Sequence, residues 1–224
     1  MTKDVAKIDS AGTNGTRARR PGRPTGAQHG EQRVLLLDIA LSLFARQGIM
    51  ETTLGAIARE AGVTPAMVHY YFKTRDQLLD VLIDERIVPL RTELGHAFAD
   101  SQAEPADALR TFAEGLIDVS RRHAWFPTLW VREVISEGGL LQQRIAERFG
   151  DANQRASIER IERWQREGKL NPDLEPSLLF VSLFGLTVLP LAVRKLRADG
   201  RGALSAERIA RHAVAMLMHG VGPF

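Results

Sequence analysis

The sequence predicts an all-α protein, with a small N-terminal three-helix unit joined to a larger helical C-terminal domain. Three observations lead there. Apolar residues recur at helical spacing from Glu31 almost to the end of the chain. Ser, Thr or Pro opens many of the periodic stretches, and Gly closes several of them. No alternating β-branched run, and no tight turn joining two such runs, is present.

Residues 1–30 stand apart. They are rich in Gly, Thr, Arg and Pro, with almost no large apolar residue, so burial cannot offset the entropy of ordering them and a disordered basic arm is expected. Residues 1–33 carry seven Lys and Arg against three acids, a net +4 that leaves −1 for the remainder. Within RARRPGRPTG, Arg20 and Arg23 flank Pro21 and Gly22 in an order that partly resembles an AT-hook core. Such a segment suits a narrow minor groove, where negative potential is strongest; a solubilising tail fits the same composition.

From residue 31 to about 80 the pattern is that of short helices. VLLLDIALSLFARQG places Leu36, Ile39, Ala40, Leu43 and Phe44 on one face and stops at Gly48. TTLGAIAREAG follows, with Thr52 or Thr53 as N-cap, Leu54, Ile57, Ala58 and Ala61 as the buried stripe, and Gly62 as the stop. Thr64 caps a third helix whose first residue is Pro65, the position proline favours. Thr74 and Gln77 form a capping-box pair at the head of RDQLLDVLIDERIV. Residues 81–224 continue as helices: EPADALRTFAEGLIDVSRRH, FPTLWVREVISEGG, one long amphipathic stretch LLQQRIAERFGDANQRASIERIERWQREG, an apolar helix to about Arg197, and SAERIARHAVAMLMHG.

Several function classes are excluded or disfavoured. The chain contains no cysteine, which rules out disulfides, thiolate metal sites and a cysteine nucleophile, and fits a reducing cytoplasm. No apolar leader follows Met1. The apolar run Leu178 to Val193 is 16 residues, short of the ~20 that span a bilayer. No nucleophile elbow, phosphate-cradling glycine loop or metal-spaced His/Glu set occurs, so no catalytic, cofactor or metal-binding residues are expected.

The second and third helices, joined at Gly62, have helix-turn-helix dimensions. Val68 and Phe72, at i and i+4, anchor the third helix inwards, leaving Thr64, Ala66, His69, Tyr70 and Arg75 to face out. A helix so presented to a major groove reads base edges and is positioned by phosphate contacts. Thr53, Tyr70, Tyr71, Lys73 and Arg75 are candidates for the phosphate part, and the helix N-termini at Thr53 and Thr74 also favour anions. For one of the two tyrosines, capping of the small core is the competing role. His69 lacks partners at ligand spacing and is a contact or surface residue rather than a metal ligand.

These residues carry a resemblance. LSLFARQGIMETTLGAIAREAGVTPAMVHYYFKTRDQLL is similar to the DNA-binding domain of the TetR/AcrR family of bacterial transcriptional regulators. The resemblance implies a phosphate contact at Thr53 and a recognition surface of Thr64, Pro65, Ala66 and His69. It places Tyr70 and Tyr71 at DNA backbone or base, and Arg75 where the family usually has a phosphate-contacting lysine. His69 stands where tyrosine is common and Pro65 where a polar or basic residue is common, so the operator sequence stays open.

It also implies a C-terminal domain that dimerises and holds a small-molecule effector. An all-apolar helix at Leu178 to Val193, with Gly185 for close approach and Ile209, Val214, Met216 and Leu217 from the last helix, suits a homodimer interface; a monomer's core helix is the alternative. For the effector, WFPTLWVREV offers Trp125, Phe126, Leu129 and Trp130 as apolar wall and Glu133 as polar handle, with Phe180 and Phe184 facing the same space. Plain core packing accounts for these residues as well. The expected function is a dimeric, ligand-released repressor binding a palindromic operator on double-stranded DNA, with no membrane partner. The alternative is a sequence-tolerant architectural DNA-binding protein without a ligand.

Overall fold

The structure, a computed structural model, describes residues 26–98, 103–135, 138–150, 152–193 and 205–221. Arg20 and Arg23 lie outside the described residues. Every regular element among the described residues is helical, so the protein is all-α.

Helix α1 (Gly26–Gln47) begins five residues before the expected start. Residues 26–30, assigned by composition to the arm, are its first turn and more. Its inner face is Leu36, Leu37, Ala40, Leu41 and Phe44, and Gly48 ends it at a φ of 94° that only glycine adopts readily. Helix α2 (Leu54–Glu60) is capped by Thr53, whose Oγ1 accepts from the Ala56 N–H at 3.0 Å. Thr52, the other candidate cap, is buried and donates its hydroxyl to the Gly48 carbonyl at 2.7 Å. Helix α3 (Pro65–Tyr71) crosses α2, with Val68 and Phe72 wholly buried beneath it.

Helix α4 (Arg75–Leu82) opens on a capping arrangement shifted by one residue. Thr74 Oγ1 accepts from the Gln77 N–H at 3.1 Å, while Gln77 Oε1 accepts from the N–H of Lys73 at 2.9 Å. The helix then widens into a π segment (Ile83–Ile87) and resumes as α5 (Val88–Gly95). Pro89 supplies the reason: it has no N–H to give the preceding turn, and its ring crowds the carbonyl there. These first four helices close on one apolar cluster that also takes in Leu129 and Leu141 from further along the chain.

Helix α6 (Pro105–Arg122) is the strongly amphipathic centre of a second cluster, through Leu109, Phe112, Ala113, Leu116 and Val119. Helix α7 (Phe126–Trp130) runs into a second π segment (Val131–Ile135). The long amphipathic stretch expected as one helix is two, α8 (Leu140–Phe149) and α9 (Ala152–Arg166). Gly150, at φ 57° and ψ −166°, turns the chain out of the helix between them. Helix α10 (Pro176–Ala192) and α11 (Ala206–Val221) pack on α6 and on each other. No helix among the described residues is long and apolar enough to cross a membrane.

Candidate DNA interface and effector cavity

The candidate DNA face is built by α2, α3 and the turn into α4. Thr64, Pro65, Ala66, His69, Tyr70 and Lys73 are all exposed, and Tyr70 is 74% exposed. Thr64 holds the N-cap position of α3, yet its side chain makes no capping bond there, which leaves its hydroxyl to an outside partner. Thr53, also exposed, accepts from Ala56 and retains its own proton to donate.

The two tyrosines part company. Their rings meet edge-on at 5.2 Å, but Tyr71 is half-buried against the first core. Its hydroxyl donates to the His29 carbonyl at 3.2 Å and lies 2.9 Å from His29 Nδ1. The early start of α1 thus supplies the partner that turns Tyr71 inward. Arg75 is engaged as well: its Nη1 donates to the Met50 carbonyl at 2.8 Å, tying α4 to the loop after α1. No group of His, Asp and Glu among the described residues is arranged to hold a metal ion.

A cavity of about 720 Å³ lies in the C-terminal part, lined by side chains of α5, α6, α7, α8, α9 and α10. Of the expected wall residues, Trp130, Phe180 and Phe184 line it. Trp130 stacks on Phe184 at 5.5 Å with ring planes 13° apart, and Phe112 meets Phe180 edge-on at 5.5 Å. The others do not line it. Phe126 and Leu129 are core residues with 1% exposure each, and Trp125 packs beside Phe126 and His123. A helix sends neighbouring positions to different faces, so the run WFPTLW was divided between core and cavity.

Glu133 is a further correction, and the more consequential one. It is buried, but its Oε1 accepts the Ile49 N–H at 3.1 Å at the end of α1. Among the described residues, the polar groups facing the cavity are instead Arg91, Arg160, Thr92, Ser157 and Ser177, with no carboxylate in the lining. A lone arginine in an amphipathic helix looks in sequence like any solvated one, so nothing flagged Arg91 in advance. Burial draws its guanidinium below the ordinary value. Its charge sits 4.8 Å over the Phe149 ring.

Side-chain contacts run between the elements around the cavity and those behind the candidate interface. Trp130, on the cavity wall, lies three residues before Glu133, which holds the end of α1. On α8, Arg144 pairs with Asp76 at 3.2 Å and Asp80 at 3.6 Å, and Arg148 pairs with Asp84. These bonds attach the helices around the cavity to α4 and the π segment behind the candidate DNA face.

Comparison with known proteins adds identity to this geometry. Residues 36–82 match the model of bacterial regulatory proteins of the tetR family, and residues 85–189 match that of the YcdC-like protein C-terminal region. The HTH-type regulator AcrR of Shigella flexneri is 35% identical over 98 residues, 43% of this chain and 44% of that protein. SrpR of Pseudomonas putida is 27% identical over 127 residues, 57% of its length. The chain thus spans about half the length of these two relatives. The repressor KstR2 of Mycolicibacterium smegmatis is 23% identical over 198 residues, covering 88% and 94% of the two chains. In fold, the ketosteroid regulator KstR2 of Mycobacterium tuberculosis superimposes with a TM-score of 0.66 at 20% identity, covering 92% of this chain and 100% of that one.

Proposed function

The chain belongs to the TetR family of bacterial transcriptional regulators and is a DNA-binding regulator, not an enzyme; from that premise we propose that it is a cytoplasmic, ligand-released repressor. It binds a palindromic operator as a homodimer, and a small-molecule effector in the 720 Å³ cavity shifts it to a form with lower operator affinity. The observation that carries this reading is the short path from cavity to head: Trp130 on the wall, Glu133 three residues on, and its bond to Ile49. An effector regulates only if it binds one of two head arrangements better than the other, and a wall residue on the same short segment as the head's anchor provides that difference.

On the DNA side, α3 enters the major groove. Ala66 and His69 face base edges, Thr53, Thr64, Tyr70 and Lys73 face phosphates, and Tyr71 and Arg75 hold the head in shape. Dimerisation uses α10 and α11. Leu178, Val181 and Met216 are 56%, 58% and 56% exposed on them, and Gly185 has open space where a side chain would stand. Of the last-helix residues expected at this interface, Ile209 and Leu217 face the protomer's own core instead.

The test is an electrophoretic mobility-shift titration of Tyr70→Ala on the promoter of an adjacent gene. The exposed Tyr70 ring contributes little to the core, so the variant should fold normally and bind DNA at least about tenfold more weakly. Unchanged affinity would remove Tyr70 from the interface.

A further inference from the structure

We infer that the cavity takes an organic carboxylate with an apolar, chain-like or ring-containing body, and that Arg91 holds its carboxylate. The inference rests on the reading of the cavity as the effector site and specifies its ligand. It starts from charge. Among the described residues the lining includes two arginines and no acid, so their charge disfavours a cation and favours an anion.

The two arginines differ. Arg160 is already used in the fold: its guanidinium donates to the Phe98 carbonyl and lies 5.0 Å over the Trp164 ring. Arg91 has no hydrogen-bond or ion-pair partner among the described residues. Its neighbour is the face of Phe149. A guanidinium withdrawn from water, with burial the sole influence on its pKa, remains charged and lacks a compensating anion. Of the two arginines that line the cavity, Arg91 is thus the one left without a hydrogen-bonding partner among the described residues.

The rest of the wall sets the body of the ligand. Phe112, Phe180, Phe184 and Trp130 present ring faces and edges, and they favour hydrocarbon or ring systems over polyols. A single strong anion site in an apolar chamber selects an amphipathic monocarboxylate. A carboxylate also matches the planar fork of a guanidinium through two parallel hydrogen bonds.

The experiment uses the full chain and two matched pairs, decanoate with decanamide and 2-naphthoate with 2-naphthamide, titrated by calorimetry and by tryptophan emission. Trp130, stacked on Phe184 in the wall, reports occupancy. At least one acid should bind about tenfold or more tighter than its amide. Arg91→Met should abolish that preference, and Arg91→Lys should restore part of it. Equal binding of acid and amide, retention of the preference in Arg91→Met, or no binding by any of the four overturns the anion site. Acid binding that leaves operator affinity unchanged supports the anion site and overturns the ligand-released reading instead, so the two fail separately.

Discussion

Glu85 accepts from both terminal nitrogens of Arg33, at 2.5 and 2.7 Å, across the gap between the π segment and α1. Those hydrogen bonds hold its carboxyl below the ordinary carboxylate range, against a smaller opposing effect of burial. A carboxylate with a depressed folded pKa stabilises the fold above its unfolded pKa, and that stabilisation disappears as pH falls through the folded value. The pair is well exposed to solvent, so its worth is that of a surface ion pair. Urea unfolding at neutral pH should find Glu85→Gln about 0.5–1 kcal/mol less stable than wild type. The gap should close once the pH is below the carboxylate range; a gap that persists in acid would mean packing, not charge, is responsible. Arg33 also lies 5.8 Å over the Phe72 ring, so the pair bears on the C-terminal end of α3. Among single residues the sequence separated inside from outside well where periodicity spoke, as for Val68, Phe72 and Ile57. It could not separate Tyr70 from Tyr71, because the partner that turns Tyr71 inward, His29, lies 42 positions away.

Helix α7 carries Trp130 to the cavity wall, and the π segment Val131–Ile135 that continues it carries Glu133 to Ile49. Gly139 follows it so closely that a β-carbon there would fall 2.1 Å from the Glu133 carbonyl oxygen, so α8 starts against the backbone it leaves. Glu133→Ala would leave the Ile49 N–H without its acceptor in a buried site, at a cost of about 1–3 kcal/mol. Glu133→Gln keeps an acceptor oxygen and should recover much of the loss. Thermal unfolding of the two variants checks this, and an Ala variant as stable as wild type would show that water takes over the bond. Caps and stops of the helices were legible because each depends on one or two local residues, Thr53, Thr74 or Gly48. The break at Gly150 was not, since the amphipathic pattern runs through it unchanged.

At the scale of the whole molecule, α10 buries Leu179, Leu183, Thr187 and Val188 and leaves Leu178, Val181 and Leu189 to solvent in the protomer. An exposed apolar stripe of that kind marks a contact surface. Leu178→Glu combined with Leu189→Glu should convert the proposed dimer to a monomer in analytical ultracentrifugation while the helical circular dichroism is kept. The same variant should lose most operator affinity, because two heads on one palindrome bind with the advantage of linkage. A double variant that sediments as a dimer would move the interface elsewhere.

Local chemistry in the sequence therefore determined the class of the protein: helix periods, caps, the helix-turn-helix spacing and the outward face of the third helix all depend on residues within a few positions of one another. It also named Trp130, Phe180 and Phe184, which line the cavity. Tertiary structure alone decided the sign of the cavity's charge. Glu133 and Arg91 sit on different elements, and which of them reaches the chamber depends on how α5 and the π segment after α7 rotate against α1 and α6. That rotation is set by long-range packing, and it turned the carboxylate to Ile49 and the guanidinium to the cavity.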